Sequence, residues 1–376
     1  MVSFTKYPSS ISCSNHLLFL DNEGNVWSQG NNGKGQLGLG DTESSGHPQQ
    51  ILAISDITHI SSGGYHSLFL DAQGTVWSCG ENYYGQISSP TSNATFIPQS
   101  IKGLPTIVSI AAGEYHSLFL DSKGEVWCCG HNYNGQLGIS DEGINEIKRI
   151  VKIPNLSNII FITCGIYNSF FLDNVGSVWC CGHNGSGQLG VGDHLSKAKP
   201  QLITGLPSIK SISSGCVHTL FLDFSGKVWS AGDNQYGQLA HGDKLHRLVP
   251  QMISNLPEID IISCGHYHSL FLDCTGSVWS CGFNFYGQLV TSDKIARSAP
   301  ARLEGFPKVQ YISAGYYNSA FLDVAGKVWF CGLCDTGYTA LRVITPQILT
   351  QLPNILPGEL PRISNVTSAN LDEMVM

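Results

Sequence analysis

The chain is short of charged residues and has no long apolar run. Only 13% of its 376 residues are charged, and 20 Lys and Arg against 28 Asp and Glu give a net charge of −8 without a block of either sign. Nucleic-acid-binding proteins normally carry a basic stripe or patch, so DNA and RNA are not expected partners. No run of about 18 apolar residues occurs, so no membrane span is expected.

Targeting signals are also missing. Residues 1–12 contain a single basic residue, Lys6, and no apolar segment of the kind that a signal peptide requires. The last six residues, LDEMVM, contain no cysteine for prenylation. We therefore expect a soluble, cytoplasmic protein.

No segment shows a sustained helical period; the chain instead repeats one unit. Residues 66–86 read HSLFLDAQGTVWSCGENYYGQ, and edited copies recur at intervals of 50 residues with one interval of 52. All seven tryptophans occupy one position of the unit. The copies begin at His16, His66, His116, Asn168, His218, His268 and Asn318. A period of about 50 residues is typical of propellers and other repeat architectures.

Each repeat predicts four short strands, which in the second copy lie at 58–62, 66–70, 75–79 and near 98–101. Seven such units predict an all-β fold, a seven-bladed β-propeller with about 50 residues per four-stranded blade. The propeller should span residues 1–353, followed by a short tail at 354–376. Ring closure should join residues 2–12 to the outer strand near residues 346–352.

Residues that recur in every copy are interpreted as framework. The seven Asp residues that precede a glycine by three positions suit turns, in which the carboxylate accepts backbone N–H groups. Asn replaces the repeated His at two copies, which indicates a structural role for these histidines. Cys79, Cys129, Cys181, Cys281 and Cys331 share one slot and should be buried, reduced thiols. Cys331 and Cys334 form the only C-x-x-C, a weak indication of zinc, so no metal or cofactor is expected.

Function is expected from the residues that differ between copies. The G-x-x-H turns and the G-x-N-x-x-G loops should emerge on one face of the ring, because the second and third strands run antiparallel, and eleven of the fourteen tyrosines fall there. Tyrosine is favoured at binding hot spots. The candidate partner-binding residues are Tyr65, Tyr115, Tyr167, Tyr267, Tyr316 and Tyr317. Tyr84, Tyr236 and Tyr286 are expected to pack on the neighbouring blades instead.

The repeat I-S-x-G-x-x-H-S-L-F-L-D-x-x-G-x-V-W-x-x-G-x-N-x-x-G-Q-L-G resembles that of the regulator of chromosome condensation (RCC1-like) family over residues 8–353. That family includes exchange factors for the small GTPase Ran, a plant ultraviolet-B photoreceptor and interaction scaffolds. The photoreceptor needs extra surface tryptophans, and every tryptophan here is a framework residue. The chromatin-binding branch uses a basic N-terminal tail, which residues 1–12 do not provide.

The resemblance implies two candidate residues for guanine-nucleotide exchange. Glu114 and His266 match, by repeat count, an acid and a histidine in the G-x-x-H turns of the Ran exchange factors, where the acid is an aspartate. A loop at 139–153, in the 52-residue repeat, matches the position of a wedge in that family. No P-loop is present, so GTP binding by this chain is not expected. The leading hypothesis is a platform for a Ran-like GTPase with possible exchange activity; the alternative is a non-catalytic scaffold that binds unrelated proteins.

Overall fold

The chain folds into a ring of seven four-stranded sheets. The computed structural model describes residues 10–89, 93–139, 143–291, 293–335, 340–349 and 352, and no helix occurs within these ranges. Each sheet is antiparallel and uses four strands consecutive in sequence. The innermost strands contact their neighbours all round the ring. The predicted seven-bladed β-propeller is therefore confirmed.

Every blade contributes one strand to each of four concentric positions. The innermost strands are β1 (Ser10–Cys13), β5 (Ile57–Ser62), β9 (Ile107–Ala112), β13 (Ile159–Cys164), β17 (Ile209–Ser214), β21 (Ile259–Cys264) and β25 (Val309–Ala314). The second strands are β2 (His16–Leu20), β6 (His66–Asp71), β10 (His116–Asp121), β14 (Asn168–Asp173), β18 (His218–Asp223), β22 (His268–Asp273) and β26 (Asn318–Asp323). The third strands are β3 (Val26–Gly30), β7 (Val76–Glu81), β11 (Val126–His131), β15 (Val178–Gly182), β19 (Val228–Gly232), β23 (Val278–Gly282) and β27 (Val328–Asp335). The outer strands are β4 (Ser45–Gln50), β8 (Ala94–Ser100), β12 (Glu146–Lys152), β16 (Lys197–Leu202), β20 (Arg247–Met252), β24 (Arg297–Arg302) and β28 (Ala340–Ile348).

The apolar core lies between blades. The second strand of each blade is buried on both faces, as its continuous apolar run predicts. Leu68 and Leu70 of the second blade, for example, pack with Phe119 and Cys129 of the third. One such cluster fills each of the seven junctions. Each blade is therefore stabilised chiefly by its two neighbours.

The ring closes by packing between complete blades. We expected residues 2–12 to join the last outer strand, and for residues 10–12 this was wrong: β1 pairs with β2, and β28 pairs with β27. Ile11 and Phe19 instead pack against Leu322, and the Cys13 amide donates to Ser313 Oγ at 3.1 Å. Residues 2–9 and the predicted tail, 354–376, lie outside the described residues, so the boundary at 353 stays a prediction.

The repeated aspartates cap turns, as predicted, and they also hold the repeated tryptophans. Asp71 Oδ1 accepts the backbone N–H groups of Gln73 and Thr75 at 3.0 and 2.8 Å, and its Oδ2 accepts the indole N–H of Trp77 at 2.9 Å. The Asp and the Trp therefore recur together. In the first blade Asn25 Nδ2 takes the place of the indole, and Trp27 Nε1 has no hydrogen-bond partner.

The repeated histidines form a hydrogen-bond relay between blades. His66 Nε2 lies 2.9 Å from Ser117 Oγ in the next blade, and Ser117 Oγ donates to the Gln86 carbonyl at 2.7 Å. Because the single hydroxyl proton goes to Gln86, the Nε2–H of His66 must be the donor to Ser117. Burial lowers the pKa of His66 to about 3, which keeps it neutral. His16, His116, His218 and His268 make the same contact. The structural interpretation of the histidines is confirmed.

The relay changes where Asn replaces His. Asn318 faces the first blade, whose Leu17 stands in the serine position, and it donates instead to the Leu333 carbonyl at 3.2 Å. Asn168 accepts from Ser214 Oγ at 3.1 Å, and the next blade carries Thr219 in the serine position. The departures from His and from Ser thus occur at the same junctions.

The slot cysteines are buried and unbridged, as predicted. Cys129 Sγ is a second donor to the Gln86 carbonyl, at 3.4 Å, and burial raises the pKa of its thiol. These thiols therefore act as small core residues with a weak donor. The Cys334 side chain lies outside the described residues, and with it the C-x-x-C pair.

Candidate functional site

One face of the ring carries eleven of the fourteen tyrosines. The G-x-x-H turn and the G-x-N-x-x-G loop of each blade meet there: the Glu81 amide donates to the Tyr65 carbonyl at 2.8 Å. The Tyr84 ring, from a loop, lies 5.2 Å from the Tyr115 ring, in the turn of the next blade. We call this surface the tyrosine face. The aspartate turns occupy the opposite face.

The two variable residues of each G-x-x-H turn have different surroundings. The first lines a small cavity on the ring axis, the axial cavity, of about 90 Å³. These first residues are Ser14, Gly64, Glu114, Ile166, Cys216, His266 and Tyr316. The second residues do not line the axial cavity, and they include Tyr65, Tyr115, Tyr167, Tyr267 and Tyr317. Of the six candidate tyrosines, Tyr316 is thus the one that faces the axis.

Three polar side chains converge on the axial cavity without forming hydrogen bonds to one another. Glu114 is 8% exposed, and its Oε2 has no hydrogen-bond partner. The Tyr316 hydroxyl and both ring nitrogens of His266 are also buried without a hydrogen-bond partner. The His266 and Tyr316 rings stack with centroids 4.2 Å apart. The structure therefore brings together Glu114 and His266, which the sequence singled out, and adds Tyr316 to them.

Gly64 makes room for this arrangement. A Cβ at this residue would lie 2.7 Å from Glu114 Cδ and 2.9 Å from the Tyr316 hydroxyl, so any side chain would displace both groups. The same distances show that the carboxylate and the phenol approach one point beside Gly64. The turn backbones are also tied together, since the Glu114 amide donates to the Ile166 carbonyl at 3.1 Å.

Burial controls the charge in the axial cavity. Desolvation, with a smaller effect from the carboxylate of Glu81, raises the pKa of Glu114 to about 7. Desolvation lowers the pKa of His266 to about 4, so the imidazole is neutral at pH 7. Desolvation, with a smaller effect from the Glu114 charge, raises the pKa of Cys216 to about 11. No Lys or Arg is among the lining residues. Glu114 is therefore the one lining group near its ionisation point at neutral pH, and no cationic side chain of this chain faces it.

The size of the axial cavity limits what it can hold. Small-molecule sites usually occupy about 300–1,000 Å³, and 90 Å³ is too small for a nucleotide. The end of one extended side chain fits this volume. A carboxylate, a phenol and a neutral imidazole together offer the acceptors that an ammonium group needs. The acceptors and the volume of the axial cavity are therefore compatible with one ammonium group at the end of a side chain.

Two groups of contacting aromatic rings flank the axial cavity. The first aromatic cluster consists of Tyr65, Tyr83, Tyr84, Tyr115, His131, Tyr133 and Tyr167. The second aromatic cluster consists of Tyr236, His266, Tyr267, Phe283, Phe285, Tyr286, Tyr316 and Tyr317. The predicted packing of Tyr84, Tyr236 and Tyr286 is confirmed, since each ring contacts the turn tyrosine of the next blade.

The most exposed aromatic residues were not among the predicted site residues. Tyr133 is 73% exposed, Tyr83 57% and Phe285 51%, and all three occupy the middle of a G-x-N-x-x-G loop. Their shared position in the loop could therefore have identified these exposed aromatic residues from the sequence. These rings extend the two clusters outward from the axial cavity.

The second part of the predicted loop at 139–153 is the outer strand β12, Glu146–Lys152. β12 pairs with β11 from Trp127 opposite Lys152 to His131 opposite Glu146, as in the other blades. The expectation of a wedge is therefore wrong for Glu146–Lys152, which forms an ordinary outer strand. Residues 140–142 lie outside the described residues. Glu146, Lys148 and Arg149 are exposed along this strand.

Comparison with known proteins identifies the family. A model of the RCC1-like domain matches residues 6–204 and 107–371. The chain belongs to the RCC1-like family. No curated protein sequence matches it significantly. Within the described residues of this RCC1-like ring, no helix has the length and apolar character needed to cross a membrane.

Solved structures share the architecture. Yeast RCC1 (Prp20), solved with Kap60 bound, is 26% identical, with a TM-score of 0.78 over 90% of this chain and 85% of its own. Prp20p of Saccharomyces cerevisiae, described with its binding to Gsp1p and histones, is 24% identical, with a TM-score of 0.71 over 82% and 80%. Human WBSCR16 is 21% identical, with a TM-score of 0.79 over 88% and 95%.

Proposed function

We propose that this RCC1-like ring is a protein-interaction platform whose partner is a Ran-type small GTPase and whose binding accelerates guanine-nucleotide release. The supporting observation is the convergence of Glu114, Tyr316 and His266 on the axial cavity, at the centre of the tyrosine face. The yeast protein Prp20, similar over most of this chain, binds Gsp1p, a Ran-type GTPase.

The chemistry of the axial cavity favours a lysine of the partner. Polar groups that are buried without partners each cost about 1–3 kcal/mol, which a bound ammonium group would recover. An ammonium beside Glu114 also favours the ionised carboxylate, since a nearby cation lowers a carboxyl pKa. A GTPase lysine drawn into the cavity would no longer hold the nucleotide phosphates. By linkage, a ring that binds the empty GTPase more tightly weakens nucleotide binding by the same factor.

The two aromatic clusters supply the surrounding contact area. Tyr65, Tyr115 and Tyr167 on one side, with Tyr267 and Tyr317 on the other, are partly exposed. Tyrosines of this kind combine apolar area with a polar tip and lose little side-chain entropy on binding. They would dock the partner while the axial cavity receives its cation. The cytoplasmic location expected from the sequence remains a prediction.

The alternative function is a scaffold without exchange activity. It is favoured by the regular strand β12, which occupies about half of the segment 139–153 in which a wedge was expected. A ring without a projecting wedge can still bind a partner on the tyrosine face. It would then lack one element that pushes on the nucleotide site.

Release of a fluorescent guanine nucleotide from a panel of small GTPases tests the proposal. With micromolar ring we expect faster release from a Ran-type GTPase, and slower release when Glu114→Ala or His266→Ala is used. Glu23→Ala is the matched control, since Glu23 is exposed beside an aspartate turn on the opposite face. Binding to a GTPase without faster release supports the scaffold. No binding to any member of the panel overturns the GTPase as partner.

A further inference from the structure

The junction between the second and third blades departs from the repeat at the rim of the ring. Six outer strands carry a proline two residues before the residue that pairs with the framework tryptophan; they are Pro48, Pro98, Pro200, Pro250, Pro300 and Pro346. The outer strand of the third blade has Ile150 there, because Lys152 pairs with Trp127. The third blade is the exception.

The proline normally packs on the preceding blade. A Cβ added to Gly38 would lie 3.1 Å from Pro98 Cγ. A Cβ added to Gly138 or Gly190 would lie 3.2 Å from the ring of Pro200 or Pro250, respectively. In the second blade the residue equivalent to these glycines is Ser88, the third blade has Ile150 in place of proline, and both residues line one cleft. Both partners of the contact are thus replaced at one junction. A cleft of about 420 Å³ lies there.

A buried hydroxyl faces this cleft without a partner. Thr95 is 7% exposed, lines the cleft, and its Oγ1 makes no hydrogen bond. In the first blade the equivalent Ser45 Oγ donates to the His47 carbonyl at 2.7 Å and accepts from Gln49 Nε2 at 3.0 Å. Buried polar atoms are normally satisfied, so the unpartnered Thr95 hydroxyl indicates a ligand.

The charges that line the cleft are positive. Lys102, Lys148 and Arg149 line it, and no acidic residue does. Lys148 is paired with Glu146 at 3.2 Å. Lys102 and Arg149 are exposed and form no ion pair within the part of the chain that the structure describes. Two cations without an ion pair among the described residues, beside an unpartnered hydroxyl, are a local exception in a chain of net charge −8.

We propose that the cleft between the second and third blades binds a phosphate monoester, with Arg149 and Lys102 contacting the phosphate oxygens and the Thr95 hydroxyl donating to the ligand. A guanidinium suits the geometry of a phosphate, and a lysine adds a point charge. The volume lies in the range of small-ligand sites, which leaves room for the body that carries the phosphate. That body is either a phosphorylated side chain of another protein or a free sugar phosphate.

Calorimetric titration of the full chain tests the proposal with two matched pairs of probes. The first pair is a phosphothreonine peptide and its unphosphorylated twin, and the second is glucose 6-phosphate and glucose. We expect one phosphorylated probe to bind at least ten-fold more tightly than its twin. The pair that shows the difference identifies the source of the phosphate.

Variants at the cleft separate this site from non-specific attraction. Arg149→Ala and Lys102→Ala should each weaken binding about ten-fold, because each removes a charge-assisted hydrogen bond, and Thr95→Val should weaken it by a smaller factor. Lys123→Ala, at an exposed lysine beside an aspartate turn, should have no effect. The proposal is overturned if neither phosphorylated probe exceeds its twin. Equal effects of Lys123→Ala and Arg149→Ala would overturn it as well.

Discussion

Replacing Glu114 by glutamine should stabilise the free ring at high pH. The pKa of Glu114 is raised from 4.5 to about 7 because the carboxylate is buried. The folded ring therefore holds this proton more tightly than the unfolded chain does, and folding stability falls as pH rises from 4.5 through 7. At 1.36 kcal/mol per pKa unit, this loss amounts to roughly 3 kcal/mol by pH 8.5. Glutamine has no proton to lose and should avoid it.

The measurement is urea unfolding of the wild type and Glu114→Gln at pH 5 and pH 8.5. We expect the advantage of the variant to grow by roughly 3 kcal/mol between the two values. Glu81→Gln should show a smaller change of the same sign, because the Glu81 charge is the second cause of the raised pKa. Glu23→Gln, at an exposed glutamate, should show almost none. A pH-independent difference for Glu114→Gln would refute the reasoning.

The same group links partner binding to protons. Near pH 7 Glu114 is about half protonated, since its pKa is about 7. A lysine that enters the axial cavity should ionise it and release up to about half a proton. Titration calorimetry in buffers of different ionisation enthalpy measures this number. Proton release that persists in Glu114→Gln would place the titrating group elsewhere.

Three further predictions concern the framework. His66→Ala and Ser117→Ala should be coupled by about 0.5–3 kcal/mol in urea unfolding, whereas His66→Ala and Ser269→Ala, in distant blades, should be additive; equal coupling would contradict the relay. Folding stability should fall as pH drops from 6.5 towards 3, because the folded pKa of the relay histidines is about 3. His66→Asn should reduce the slope of unfolding free energy against pH by about 1.4 kcal/mol per pH unit. An unchanged slope would count against a buried neutral histidine. Trp77→Phe should cost about 1 kcal/mol more than Trp27→Phe, because Trp77 donates to its aspartate and Trp27 does not. Equal losses would show that this bond contributes little.

The sequence predicted the parts of the fold that are local. The strand pattern around Phe69 and the turn at Asp71 depend on residues within one repeat, and seven copies allow framework residues to be distinguished from the rest. The closing arrangement was mispredicted, because it depends on how complete blades meet. No spacing within a repeat reports on that contact.

The candidate site could be predicted only in part. Glu114, His266 and Tyr316 stand in the turns of the third, sixth and seventh blades, and only ring geometry brings them together. Tyr316 was among the six candidate tyrosines, and a separate comparison of the first and second turn positions would have distinguished it from the other five. The serine partners of the histidines were also missed, because each lies about one repeat away. The signal was present, since Leu17 and Thr219 follow the two copies that lack histidine.

The unmatched junction between Asn318 and Leu17 has a consequence for assembly. Repeat proteins misfold when similar units dock out of order. In a ring that closed one blade early, His268 would face Leu17 and its Nε2–H would be buried without an acceptor, at a cost of about 1–3 kcal/mol. Asn318 Nδ2 donates within its own blade to the Leu333 carbonyl, and only its Oδ1 is left without a partner, so Asn318 needs no acceptor from the first blade. The junction that joins the two ends of the chain thus disfavours closure of the ring with six blades and favours closure with seven.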